Sequence, residues 1–146
     1  MHGLGSDRRQ AKQALEGLAN HRLIIVDMPG HGESEFTQAY PLKGQAGFAP
    51  YAEIATALLA HLGVQRIIVG GISMGAGIAL RLAIEEPSLV SAMLLVRPAW
   101  LDRPGRPHLN IIAEIGAWIR EAGTDHAAAQ LAAHPVYEAA LAENPL

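Results

Sequence analysis

Ile67-Ile68-Val69-Gly70-Gly71-Ile72-Ser73-Met74-Gly75-Ala76-Gly77-Ile78-Ala79-Leu80 reads as a buried strand, a very sharp turn and the start of a helix. Three β-branched residues in succession, Ile67 to Val69, suit a parallel strand covered on both faces. After the turn, Ile78, Leu80, Leu82 and Ala83 begin a helical pattern that runs out near Glu86-Pro87. Gly71 and Gly75 stand two residues to either side of Ser73. A bend this tight drives its central residue toward positive φ, which is costly for any residue with a Cβ. Side chains at the flanking positions would collide across it, so glycine is wanted there. The serine hydroxyl is then held clear of the backbone at a helix N-terminus. Free N–H groups and a partial positive charge lie where an oxyanion would form. Gly71-Ile72-Ser73-Met74-Gly75 therefore fits the G-x-S-x-G nucleophile elbow. The blander reading is a strand-to-helix turn with an incidental serine. A dinucleotide-binding turn needs G-x-G-x-x-G and an acidic residue about 20 positions on. The glycines at 70, 71, 75 and 77 have the wrong spacing for it.

On the N-terminal side of this stretch, Asp7 to Leu18 has an amphipathic pattern. Ala11, Ala14, Leu15 and Leu18 share one face and Arg8, Arg9, Lys12 and Glu16 the other. Arg22 to Val26 predicts a second buried strand. It leads into Asp27-Met28-Pro29-Gly30-His31-Gly32-Glu33-Ser34, a polar, glycine-rich loop of the kind that gathers function at strand C-termini. Glu35 to Gly47 carries loop signals. Phe48 to Leu62 predicts a helix that buries Ile54, Ala55, Leu58, Leu59 and Leu62, with Gly63 as its C-cap. On the C-terminal side, Ala92 to Val96 predicts a third buried strand. Pro98, Pro104, Gly105 and Pro107 then punctuate a loop. Helices are expected over Leu109–Ala122, over Thr124–Ala133 and after Pro135. The domain reading is a βα core over residues 1–97 and a helical segment over 98–146.

The whole chain has 146 residues, half of them hydrophobic, with no cysteine and a formal net charge of −3. That is long enough for one modest core. The charge is too small and mixed to suggest nucleic acid or an anionic membrane as partner. Without cysteine there is no disulfide, thiolate metal site or cysteine nucleophile. No apolar run approaches the roughly 18 residues of a membrane span. Met1-His2-Gly3 has neither the basic nor the apolar region of a signal peptide, so a cytoplasmic location is expected.

Three motifs in order make the chain resemble the α/β-hydrolase superfamily. His2-Gly3-Leu4-Gly5-Ser6 is similar to that family's H-G-x-G-S loop after the third strand. Asp27 to Ser34 is similar to its D-x-x-G-x-G-x-S loop after the fourth. Gly71 to Gly75 is similar to its elbow after the fifth. The proline-rich break after Val96 falls where many members insert a helical cap. The resemblance implies an α/β fold: an incomplete α/β-hydrolase core of parallel strands and flanking helices, followed by the start of a helical cap. It implies Ser73 as nucleophile, the N–H groups of Met74 and Leu4 as oxyanion donors, and His2, Gly3, Gly71 and Gly75 as shapers of the site. It implies a small acyl substrate and neither cofactor nor metal. Asp27 and His31 are expected to order their loop.

The family's chain order is Ser, then Asp or Glu, then His, the last two after a seventh and an eighth strand. No such strands are legible here. His108 lies in a proline-rich loop, and His126 and His134 in or beside alanine-rich helices, so none is expected to be the base. Some family members carry the acid just after the sixth strand, and Asp102 is six residues past Val96, but the turn chemistry of Asp-x-Pro-Gly favours a loop role for it. The strand that should precede His2 is also absent, so the chain reads as truncated at both ends. The first strand should then either stand one strand's width from the elbow strand or close the gap and pair with it, with residues 1–6 poorly fixed in either case. Functionally, the expectation is a serine hydrolase of small carboxylic esters, lactones or related acyl compounds. The rivals are a catalytically silent piece of that fold, at most a ligand- or partner-binding module, and a nucleotide-binding βα domain. The sequence leaves substrate and oligomeric state open.

Overall fold

The computed structural model describes residues 1–18, 20–35, 47–98 and 109–143. The chain divides into two compact units, Met1–Ala99 and Trp100–Leu146. The first holds α1 (Arg8–Ala14), α2 (Ala49–His61), β1 (Ile67–Ile72), α3 (Met74–Glu85) and β2 (Val90–Val96); the second holds α4 (Asn110–Ala132) and α5 (Pro135–Glu143).

β1 and β2 pair in parallel, in register from Ile68 opposite Ala92 to Ile72 opposite Val96. α3 connects them and packs on one face. Ile78 and Leu82 of α3 are fully buried and meet Met28, Ala52, Leu59 and Met74, with Phe48, Ile67 and Val90 at the margin. Gly77 lets α2 come close, because a Cβ there would strike the Phe48 ring. α2 buries Ala52 and Leu59, spaced i and i+7, whereas Leu62, expected inside, is exposed. The end of α2 is a Schellman turn. The N–H of Gly63, at φ 66°, donates to Ala60, and that of Val64 to Leu59.

Side chains alternate across a strand, so Ile68, Leu94 and Val96 share the face turned away from α3. They are 55%, 48% and 46% exposed. Strands covered on both faces were expected; among the described residues of this unit, only the α3 face is covered.

The expected strand at 22–26 is not one. Leu23 and Ile24 are exposed, and among the described residues no backbone ladder pairs the segment. The reason lies at residues 1 and 2. The Met1 nitrogen donates to the Gly70 carbonyl at 2.7 Å, and the Ile72 N–H donates to the Met1 carbonyl at 3.1 Å. This is one parallel bridge opposite Gly71, and it takes up the β1 edge that residues 22–26 would need. His2 in turn reaches across to Met28, so the 22–28 segment stands off from β1 rather than pairing with it. Residues 1–3 are consequently held on both sides, contrary to the expectation that they are poorly fixed.

In the second unit, α4 breaks at Ala122 and Gly123, where Gly123 has φ 86°. The two helices expected there are thus present across a kink. The expected loops at 36–46 and 99–108 lie outside the described residues.

Candidate active site

Ser73 has φ 51° and ψ −111°, a conformation strained for any residue with a Cβ. Three features enforce it. The Ser73 N–H donates to the Val96 carbonyl at 2.9 Å, which ties the bend to the end of β2. The Ser73 carbonyl accepts from Ala76 and Gly77, which starts α3. The flanking glycines leave the bend room. A Cβ on Gly71 would overlap the Gly75 carbonyl, and one on Gly75 would lie 2.5 Å from the Met1 carbonyl oxygen and 2.7 Å from that of His2.

The N-terminal loop packs directly on this bend. Gly3 is buried, and a Cβ there would sit 3.6 Å from the Ser73 Cβ and 3.5 Å from the Ile72 carbonyl oxygen. The Gly3 N–H donates to Gln10 Oε1 at 2.8 Å, so α1 holds the loop from behind. His2 is 0% exposed. Its Nε2 accepts the Met28 N–H at 2.9 Å, which leaves Nδ1 to carry the proton and donate to the Gly3 carbonyl at 2.8 Å. Both ring nitrogens are therefore engaged, in the neutral form. Among the described residues, no acceptor meets the N–H of Leu4, of Met74 or of Gly75, and no side chain hydrogen-bonds the Ser73 hydroxyl.

The Asp27–Ser34 loop is built around one carboxylate. Asp27 is 3% exposed at its side chain. It accepts from the Arg8 N–H at 2.6 Å, from the Arg8 guanidinium at 2.5 Å and from the Glu33 N–H at 3.0 Å. The Glu33 and Arg8 backbone N–H groups, with the Arg8 guanidinium beside them, hold its carboxyl below the usual range. A Cβ on Gly32, at φ 56°, would collide with that carboxylate. Ser34 Oγ closes the loop onto the Asp27 carbonyl at 2.9 Å. His31 lies with its ring centroid 5.0 Å from that of His2. The role of Asp27 in ordering its loop was legible in the sequence. Its reach to the first residue of α1, which couples this loop to the one carrying Leu4, was not. Arg8 looked only like the polar face of a helix.

His126 and His134 belong to the second unit. His134 Nδ1 accepts the Val136 N–H at 3.2 Å, at the start of α5, and Nε2 faces Glu114 at 3.3 Å. Asp102 and His108 lie outside the described residues. Among the described residues of the first unit, shallow grooves of about 270 Å³ beside Ala83, Pro87 and Met93 and of about 390 Å³ beside Glu53, Thr56 and Glu85 are not lined by Ser73, Leu4 or Met74. Among the described residues there is no cluster of three His, Asp or Glu placed to hold a metal, and no helix long and apolar enough to cross a membrane.

A strand, a strained serine and a helix, with a His-Gly loop folded against the serine, define a class: the profile of the alpha/beta hydrolase fold matches residues 1–129. The chain belongs to that family. It is 39% identical over 88 residues to the magnesium-chelatase 30 kDa subunit of Rhodobacter capsulatus, a match covering 60% of this chain and 30% of that protein. It is 35% identical over 97 residues to the pimeloyl-[acyl-carrier protein] methyl ester esterase of Vibrio vulnificus, covering 66% of this chain and 34% of that one. Among solved structures, a thermophilic esterase from Thermogutta terrifontis superposes with a TM-score of 0.65 at 29% identity, over 84% of this chain and 43% of the esterase. The chain thus spans about a third of these curated relatives and under half of that structure. Its fold is an incomplete α/β-hydrolase core with a two-stranded sheet, and its relatives include hydrolases and esterases.

Proposed function

We propose that Ser73 is the nucleophile of a serine hydrolase acting on small carboxylic esters, lactones or related acyl substrates. The single observation that carries this is the Ser73 backbone, held at φ 51° between two glycines that have no room for a side chain. The Ser73 oxygen attacks the acyl carbon. The carbonyl oxygen of the substrate takes the negative charge, which the N–H groups of Met74 and Leu4 receive. Collapse expels the alcohol and leaves an ester on Ser73, which water cleaves to the acid. His2 and Gly3 shape the loop that presents Leu4, and Gly71 and Gly75 make room for the bend. The proton of Ser73 must pass to a base, and both nitrogens of His2 are already committed, so His2 is not that base. A helical cap over residues 98–146 belongs to the same reading.

Fluorophosphonate treatment of the complete protein, in which Ser73 has its base, followed by peptide mapping tests it. A phosphonyl group on Ser73, absent in Ser73→Ala, is the expected result; modification elsewhere or none removes Ser73 as nucleophile. A second reading, a catalytically silent binding module on the same fold, is favoured by one observation. The 39%-identical relative is named as a chelatase subunit rather than a hydrolase. That reading expects Ser73 to stay unlabelled.

A further inference from the structure

Two non-glycine residues among those described have positive φ: Ser73 at 51° and Arg97 at 53°. They occupy equivalent places. Ile72 and Val96 are the last pair of the β1–β2 ladder, and Ser73 and Arg97 are the residues that follow them. The two are also joined, because the Ser73 N–H donates to the carbonyl of Val96, the residue bonded to Arg97. With neighbouring strands about 4.8 Å apart, Arg97 leaves the sheet within one strand spacing of the nucleophile. Positive φ at a strand end calls for glycine or asparagine on conformational grounds alone. An arginine stands there instead.

Arg97 is exposed and, among the described residues, has no carboxylate partner. Arg8, Arg9 and Arg81 each sit in an ion pair. Arg66 also lacks a partner, but it precedes β1 at the opposite end of the sheet from Ser73. A guanidinium stays charged at every working pH, and its planar fork matches a carboxylate with two parallel hydrogen bonds. We propose that Arg97 is a specificity-determining residue that recognises a carboxylate on the substrate. The preferred class is then an acyl compound carrying a second, ionised carboxyl group, such as the half-ester of a dicarboxylic acid. The inference rests on Ser73 being the reacting residue, but its test does not need turnover.

The protein is titrated with monomethyl succinate, which is anionic, and with dimethyl succinate, which is neutral. Binding is read by NMR at the Arg97 side-chain N–H and the backbone N–H groups of Ser73 and Met74. The monoester should shift these signals with at least tenfold higher affinity than the diester. Arg97→Gln should abolish that preference and Arg97→Lys should keep part of it. Arg97→Gly suits the backbone better than arginine does, so loss of the preference in that variant cannot be put down to misfolding. Arg66→Gln should leave it intact. Equal binding of the two esters, or an anion preference that survives in Arg97→Gly, overturns the proposal. The two readings fail separately. An anion preference without fluorophosphonate labelling of Ser73 removes the nucleophile and keeps the carboxylate site; labelling without the preference does the reverse.

Discussion

Gly71 and Gly75 press against each other across the bend at Ser73: a Cβ on Gly71 would occupy the position of the Gly75 carbonyl. The clash is with backbone, which cannot swing aside as a flexible side chain can. Gly71→Val should therefore lose stability by about 3 kcal/mol or more, at the upper end of what overpacking costs. Gly75→Val meets the Met1 and His2 carbonyl oxygens instead, so it should also displace the Leu4 loop. Chemical denaturation measures both. Soluble valine variants of unchanged midpoint would mean that the bend has room to spare.

The strain at Ser73 separates chemistry from stability. Ser73→Ala keeps a Cβ and should change stability by less than about 0.5 kcal/mol, since the hydroxyl has no hydrogen-bond partner among the described residues. Ser73→Gly relieves the positive φ and should stabilise by roughly 1 kcal/mol. Both should abolish fluorophosphonate labelling. Thermal melts of the three proteins, ordered Gly above Ala and Ser, are the check.

Asp27 makes the first unit sensitive to acid. The Glu33 and Arg8 N–H groups and the Arg8 guanidinium lower its carboxyl below an unfolded value of about 3.9. A depressed folded value means the contribution is fully present above the unfolded pKa and is lost as pH falls through the folded one. Asp7, the N-cap of α1, is brought down to about 2, mainly by hydrogen bonds from the Arg9 side chain and backbone, and acts in the same direction. The contribution of these two carboxylates should thus be constant above pH 5 and fall below pH 4. Asp27→Asn should reduce the slope between pH 4 and pH 2, leaving the part that Asp7 contributes. A variant with the same acid profile as the parent would show that Asp27 is not its source.

Local chemistry was the legible part of this molecule. Ile67–Val69 followed by Gly71, Ser73 and Gly75 identified strand, bend and helix, because a tight bend restricts its residues by sterics that neighbours alone impose. Gly63 marked the end of α2 for the same reason. Pairing was not legible. Residues 22–26 have a strand's composition, yet strand formation needs a partner, and Met1 holds the edge of β1 they would use. Composition likewise suggested that Leu94 and Val96 are buried, whereas burial depends on what covers a face. The coupling of Arg8 to Asp27 spans 19 positions and no short-range pattern reports it. Arg97 carried no signal until its backbone conformation and its alignment with Ser73 were known.

Hydrolysis by the 146-residue chain itself should be barely detectable. Serine needs a base to take its proton, and a base needs a partner to orient it. The Ser73 hydroxyl has no side-chain partner among the described residues. The backbone of His2 lies against Gly75 of the bend, but its Nε2 holds the Met28 N–H and its Nδ1 proton is spent on the Gly3 carbonyl. To act as a base, His2 would have to give up a buried hydrogen bond and leave the Met28 N–H unpaired, at a cost of about 1–3 kcal/mol, and the loop carrying Leu4 would move with it. Serine hydrolases that lack a triad member keep only roughly 10³–10⁴-fold catalysis over water, close to the background of most ester assays. p-Nitrophenyl acetate hydrolysis by the purified chain should therefore match that of Ser73→Ala within about tenfold. Robust turnover lost on His108→Ala, His126→Ala or His134→Ala would identify the base within this sequence and overturn the prediction.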